Sequence, residues 1–341
     1  MVKVKKNQKI NNMSFFIGDV EIKNKVILAP MAGITSFSYR RFMKPFGASL
    51  TYTEMISDCA LINGTKETYK LLSSNGEDRP LAVQLFGGSK ETLLKAIDVL
   101  ENTNCQYDIL DLNLACPVPK VTKNNGGSSW LKDQNKLFDM VSAVVKRSKK
   151  PVSCKIRLGY DVVNINETVK TLEKAGVKFI AIHARTKLQL YTGLPDFNVL
   201  KDIHNIIKIP FCVSGNIYTV ADALNALEIT KADAIMVARG AVGNPELLTN
   251  INKALNKGSY SEEKDFNRQK EYALTYADNM LNEFKEEVGV RMLRGILPKF
   301  FDGIPGSKPL KNELATNTRN KDDIINIINK FSDLENKSKE N

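Results

Sequence analysis

Residues 81–114 read LAVQLFGGSKETLLKAIDVLENTNCQYDILDLNL. An apolar run at 81–86 is followed by a stretch at 90–100 with apolar residues near helical spacing and Lys or Glu on its other face, and then by a second apolar run at 109–114. That order is strand, helix, strand. The alternation extends through the first three quarters of the chain. Further short apolar runs bounded by turn residues stand at 25–29 (KVILA), 48–53 (ASLTYT), 152–157 (VSCKIR), 179–183 (FIAIH), 210–213 (PFCV) and 234–238 (AIMVA), and 137–146 is another amphipathic stretch. Eight such strand-helix units within residues 14–248 predict an α/β fold, a (β/α)8 TIM barrel, because the span is close to the roughly 250 residues typical of it. A doubly wound sheet is disfavoured, since no strand run is followed by a GxGxxG turn.

The 341 residues include 49 Lys+Arg and 38 Asp+Glu, a net charge of +11, with 43% hydrophobic and 26% charged residues. These proportions are those of a globular chain and exclude disordered and collagen-like classes. No stretch approaches the roughly 20 apolar residues of a membrane-spanning helix. The start of the chain, with Lys3, Lys5, Lys6 and Lys9, lacks the apolar core of a secretory signal, so a cytoplasmic location is expected and residues 1–13 read as a flexible basic arm. Five cysteines with no CxxC pair, and only two histidines, argue against a disulfide scaffold and against a metal site.

After Pro245 the strand pattern stops, and residues 249–332 read as a separate helical domain followed by a polar tail at 333–341. Its charge is uneven: eight acids against four bases at 262–287, then seven bases against two acids at 288–321. On one continuous helix, Met292, Leu293, Ile296, Leu297 and Phe300 would share a face, with Arg291 and Arg294 opposite it. A basic outer face on a chain of net charge +11 points to a polyanionic partner.

In such a barrel the C-terminal strand ends build the active site. Here they carry Pro30-Met31-Ala32 beside Ala29 and Gly33, small enough for a flat ligand to lie against the backbone, then Gln84, Asn113 and Cys116, Lys155 and Arg157, and His183 and Arg185. The last two carry Ser214-Gly215-Asn216 and Ala238-Arg239-Gly240, in the loops where barrels commonly hold a phosphate. Lys155 and Arg157 alternate with Cys154 and Ile156, so both face one side, and buried cations call for an anion. Cys116, on a loop before Asn124-Asn125-Gly126-Gly127-Ser128-Ser129, is placed for proton or nucleophilic chemistry, and that glycine-bearing segment reads as one that closes over a substrate. Cys105, Cys154 and Cys212 lie in apolar contexts, and His204 reads as structural. No HExxH, Walker loop, glycosidase acid pair or Ser-His-Asp order is present, which leaves the chemistry to a cofactor. A flat, phosphorylated cofactor with a lysine at its electron-rich edge describes FMN, whose reduced ring is anionic.

The segments 29–35 (APMAGIT), 84–87 (QLFG), 111–117 (DLNLACP), 155–159 (KIRLG), 182–186 (IHART) and 239–245 (RGAVGNP) closely resemble the motifs of tRNA-dihydrouridine synthases, nearest the bacterial B type, and the resemblance reaches the tail segment 291–314. It implies an FMN-bearing barrel, a helical tRNA-binding domain, NADPH or NADH as reductant, and reduction of the C5=C6 bond of selected uridines in tRNA. Carried over, Cys116 is the expected proton donor to C5, and Pro30, Met31, Ala32, Gln84, Lys155 and His183 the residues at FMN, with Ser214, Gly215, Asn216, Ala238, Arg239 and Gly240 around its phosphate. Asn113, Arg157, Arg185, Arg291 and Arg294 are expected to meet the substrate, and the chain to act as a monomer. The family often has glycine where Ala115, Ala184 and Ala238 stand, Asn-Gly-Asp at 214–216, and Asp at Ser36. Two alternatives are a flavin barrel acting on a free pyrimidine, such as a dihydroorotate dehydrogenase, and a non-catalytic tRNA-binding scaffold.

Overall fold

A computed structural model describes residues 13–332. The expected arm and tail lie, apart from residue 13, outside the described residues. The strands are β1 (Phe15–Ile17), β2 (Val20–Ile22), β3 (Val26–Leu28), β4 (Thr51–Tyr52), β5 (Ile56–Ser57), β6 (Leu81–Phe86), β7 (Ile109–Leu114), β8 (Val152–Arg157), β9 (Phe179–His183), β10 (Phe211–Ser214) and β11 (Ala234–Val237). Parallel pairing runs β3-β11-β10-β9-β8-β7-β6-β4, and a parallel bridge between Ile27 and Leu50 brings the two ends together. The predicted eight-stranded barrel is present, with β5 adding a second short pairing to β6. β1 and β2 form an antiparallel hairpin that the sequence pattern did not indicate. Its Ile17 and Ile22 are fully buried among inward residues of the barrel, and Phe15 stacks on Phe179 at 5.8 Å, closing the end opposite the site.

Helices α1 (Phe37–Met43), α2 (Asp58–Ile62), α3 (Lys66–Leu71), α4 (Lys90–Glu101), α5 (Pro119–Thr122), α6 (Gln134–Arg147), α7 (Ile165–Lys174), α8 (Ile203–Ile206), α9 (Val220–Thr230) and α10 (Glu246–Leu255) lie between and after the strands. Their starts are set locally. Ser89 caps α4, Asp133 accepts from Asn135 and Lys136 at α6, and Thr219 with Asp222 forms a capping box at α9. The boundary expected at 248 falls inside α10, which packs on α9 and β3 as the eighth barrel helix.

The C-terminal region is helical: α11 (Phe266–Glu283), α12 (Glu286–Leu293), α13 (Leu297–Phe300), α14 (Lys308–Thr316) and α15 (Lys321–Lys330). The single helix expected across 291–300 is broken between α12 and α13. Pro298 has no N–H to continue it and instead sits in the first turn of α13, where none is needed. Leu293, Ile296, Leu297 and Phe300 are nevertheless buried together. α11 packs on α1 through Tyr39, Phe42 and Tyr276. Ser36 gives α1 no side-chain cap. The N–H of Ser38 donates instead to Glu283 Oε2 of α11 at 2.6 Å, so the helical region supplies the missing acceptor. Among the described residues no helix is long and apolar enough to cross a membrane.

Candidate active site

Side chains alternate along each strand, so one row of each faces into the barrel, and on β7 and β9 that row starts apolar near the hairpin and ends polar at the mouth. On β9, Phe179 and Ala181 face in, and His183 ends the row; on β8, Ser153, Lys155 and Arg157 share the inward side while Cys154 and Ile156 pack outward. Pairing sets Asn113 beside Lys155 and Arg157 beside His183. The result is a cavity of about 450 Å³ at the C-terminal strand ends.

Fourteen of the expected residues line it: Pro30, Met31 and Ala32; Asn113 and Cys116; Lys155, Arg157 and His183; Ser214, Gly215 and Asn216; and Ala238, Arg239 and Gly240. Four others do not. Gln84 is fully buried behind the wall, its Nε2 donating to Asp111 Oδ2 at 2.7 Å and its Oε1 accepting from Asn113 Nδ2 at 2.8 Å. Arg185 is fully buried, donating to the carbonyls of Thr192 and Gly193 and to Asn216 Oδ1. Arg291 is exposed on α12, away from the cavity, and Arg294 donates to the Thr318 carbonyl at 2.7 Å, so its guanidinium is partly committed within the helical region. Arg157 lines the cavity, yet Nε donates to the Ala115 carbonyl at 2.9 Å, and Nη1 to those of Thr186 and Leu190 at 2.8 and 2.7 Å. It braces the wall.

Lys155, Arg157 and Arg239 line the cavity and no carboxylate does among the described residues. Burial, with Arg157 alongside, lowers Lys155 to about 8, so it remains largely charged at pH 7. Burial and then the surrounding Lys155, Arg157, Arg185 and Arg239 hold His183 well below its ordinary value, so its ring is neutral. Arg185 Nη1 lies 3.3 Å from His183 Nε2; a guanidinium can only donate, so Nε2 accepts and the proton sits on Nδ1. A cavity of this charge favours an anionic ligand. The backbone agrees: a Cβ at Gly240 would overlap the Ile217 carbonyl and stand 3.0 Å from Tyr218 Cα, so the loops after β10 and β11 touch only because that position is glycine.

The dihydrouridine synthase (Dus) family model matches residues 27–336. The chain belongs to that family. It is accordingly an oxidoreductase. It is 33% identical over 294 residues to a probable tRNA-dihydrouridine synthase of Rickettsia bellii, covering 85% of this chain and 90% of the relative. Identity is 32% to tRNA-dihydrouridine synthase B of Pseudomonas aeruginosa, over 86% of this chain and 89% of that one, and 30% to the B enzyme of Pasteurella multocida, over 93% and 95%. The barrel is shared with an old yellow enzyme homologue of Zymomonas mobilis (TM-score 0.51, 13% identity, 73% of this chain and 93% of that one). It is shared also with histamine dehydrogenase of Rhizobium (TM-score 0.53, 11% identity, 80% and 51%).

In this chain the Cys116 loop is held from two sides. Asn113 Oδ1 accepts from the N–H of Ala115 at 3.1 Å and of Cys116 at 2.8 Å, while the Cys116 carbonyl accepts from the N–H and hydroxyl of Ser128. Gly127 has φ +56°, and a Cβ there would stand 2.7 Å from the Cys116 carbonyl oxygen. The segment 124–129, expected to close over a substrate, is therefore a buttress, with Gly126, Gly127 and Ser128 buried beneath the loop. The apolar segment beside the mouth is instead 187–195, where Leu188, Tyr191 and Leu194 are exposed. Tyr191 and Tyr218 line the cavity on either side of Arg239, and Met55 lines it from just before β5; sequence reading missed all three. A signal existed for Tyr191, an aromatic flanked by Leu190 and a Thr-Gly turn. The glycine-to-alanine departures are harmless: Ala115, Ala184 and Ala238 avoid the left-handed region, Ala238 having φ −114°.

Proposed function

We propose that this chain reduces the C5=C6 bond of specific uridines in tRNA to 5,6-dihydrouridine, in the cytoplasm, with FMN bound in the barrel mouth and NADPH or NADH as reductant. The observation that carries the reading is Cys116, pinned on the wall of a cation-lined, carboxylate-free cavity. The names of the curated relatives and the family match support the substrate.

The residues present fit a flat, phosphorylated cofactor. Pro30, Met31 and Ala32 would receive the ring, Lys155 and the neutral His183 its polar edge, and the touching loops 214–216 and 238–240, with Arg239, the phosphate. Gln84 and Arg185 serve the site through Asn113 and His183. The chemistry supplied by the bound flavin is hydride transfer, two electrons taken from the reductant and passed to C6 of the uracil. Cys116 holds a proton at Sγ and gives it to C5, and the thiolate is reprotonated from solvent. The target base must leave its stack to enter the mouth, and the basic face carrying Arg291 would hold the RNA backbone in a salt-sensitive way.

The test is mass spectrometry of unmodified tRNA incubated with the purified protein, FMN and NADPH. The expected result is a gain of two hydrogens on a uridine, abolished in Cys116→Ala with flavin still bound. Absence of that gain, together with activity on free orotate or a protein that takes up no flavin, overturns the reading.

A further inference from the structure

Below the cavity, Asp111 on β7 is fully buried inside the barrel. Its Oδ1 accepts from Ser153 Oγ at 2.5 Å and its Oδ2 from Gln84 Nε2 at 2.7 Å. From there the bonds continue without a gap. Gln84 Oε1 accepts from Asn113 Nδ2 at 2.8 Å, and Asn113 Oδ1 accepts from the N–H groups of Ala115 and Cys116.

Each link dictates the next. A carboxylate can only accept, so Gln84 must turn its NH2 toward Asp111 and its carbonyl toward Asn113. Asn113 must then turn its NH2 toward Gln84, which leaves its oxygen for the two N–H groups that shape the Cys116 loop. A carboxamide has two orientations of nearly the same shape, and nothing in its packing volume chooses between them. Reversed, Asn113 would set donor against donor beneath Cys116.

We propose that Asp111 is a positioning residue: it fixes the polarity of the Gln84 and Asn113 carboxamides and through them holds the Cys116 loop in place. This rests on the reading of Cys116 as the proton donor. A competing role for Asp111 is purely electrostatic, as the carboxylate facing Lys155 from the neighbouring strand. The two roles separate on substitution. Asparagine at 111 can keep its oxygen toward Gln84 and point its NH2 at Ser153, whose hydroxyl then accepts; the polarity survives and the charge is gone. Leucine removes both. Gln84→Met breaks the relay one link later while leaving Asp111 with Ser153 and Lys155.

The experiment compares Asp111→Asn, Asp111→Leu and Gln84→Met by two readouts. The first is the rate of iodoacetamide alkylation of Cys116, followed by peptide mapping in protein stripped of cofactor. The second is the split between kcat and KM for tRNA. Asp111→Asn is expected to stay close to wild type in both. Asp111→Leu and Gln84→Met are expected to lose roughly 100-fold in kcat, the scale of a misplaced general acid, with KM little changed and Cys116 alkylated several-fold faster. If Asp111→Leu does not fold, Gln84→Met decides. The proposal is overturned if Asp111→Asn is as damaging as Asp111→Leu, which assigns the effect to charge, or if Gln84→Met leaves both readouts at wild type. Should the wild-type protein fail to reduce tRNA, the functional reading falls, while the alkylation rates still report on the relay.

Discussion

Replacing Arg157 with methionine separates two roles for a cation at the cavity. Methionine fills much of the stem volume but donates nothing to the carbonyls of Ala115, Thr186 and Leu190. The bonds to Ala115 and Thr186 are buried, and each carbonyl left unpaired costs about 1–3 kcal/mol, whereas Leu190 is partly open and can turn to water. Part of that loss is offset, because burial and the neighbouring Arg185 already disfavour the charged guanidinium. A net destabilisation of about 2–4 kcal/mol follows, a fall in Tm of roughly 3–6 °C for a chain of this size. Arg157 also ties the residue before Cys116 to the residue before Tyr191, so kcat for tRNA reduction should drop while KM and its salt dependence hold. The assay is differential scanning fluorimetry beside tRNA-reduction kinetics at several salt concentrations. An unchanged Tm with a raised KM and a salt slope shallower by about 1 would refute the brace and make Arg157 a direct phosphate contact.

Arg291→Glu should weaken tRNA binding and flatten its salt slope, whereas Arg294→Ala should cost about 1 kcal/mol of stability by freeing the Thr318 carbonyl, with little effect on that slope; filter binding and thermal melts distinguish them. Gly240→Ala should force the loops after β10 and β11 apart and lower flavin retention on gel filtration, and full retention would remove the close approach from the argument. In cofactor-stripped protein, FMN affinity should fall as pH rises through about 8, since a lysine lowered to that value is charged below it and neutral above. Fluorescence titration reads this limb, and its persistence in Lys155→Met would assign it elsewhere.

The barrel was legible because its strands are short apolar runs bounded by turn residues, as in β6 to β9, and because those runs are separated by helix-length segments. The hairpin was not, since three-residue strands such as Phe15–Ile17 give no measurable period. The eighth helix runs past the expected boundary at 248 for a related reason: it has no following strand to mark its end. The break between α12 and α13 is marked in the sequence only by Pro298, whereas the apolar spacing at 292–300 continues across it. At the site, the strand-end rule pointed to fourteen residues that line the cavity, and passed over Met55, Tyr191 and Tyr218, which stand outside the strands. It did not separate those that face a ligand from those that hold the wall, because Arg157 and Arg185 are committed to loop carbonyls and Gln84 to side chains of the neighbouring strand β7, which residue type alone does not disclose.

The hairpin of β1 and β2 also sets the order of traffic. With Ile17, Ile22 and Phe15 stoppering the far end, the barrel is a vessel with one doorway. In the proposed reaction the dinucleotide and the RNA base must pass the same rim of Tyr191 and Tyr218, and neither can approach the cofactor while the other occupies it. For that proposed reaction the expected order is alternating visits, a ping-pong cycle in which excess reductant competes with tRNA for entry.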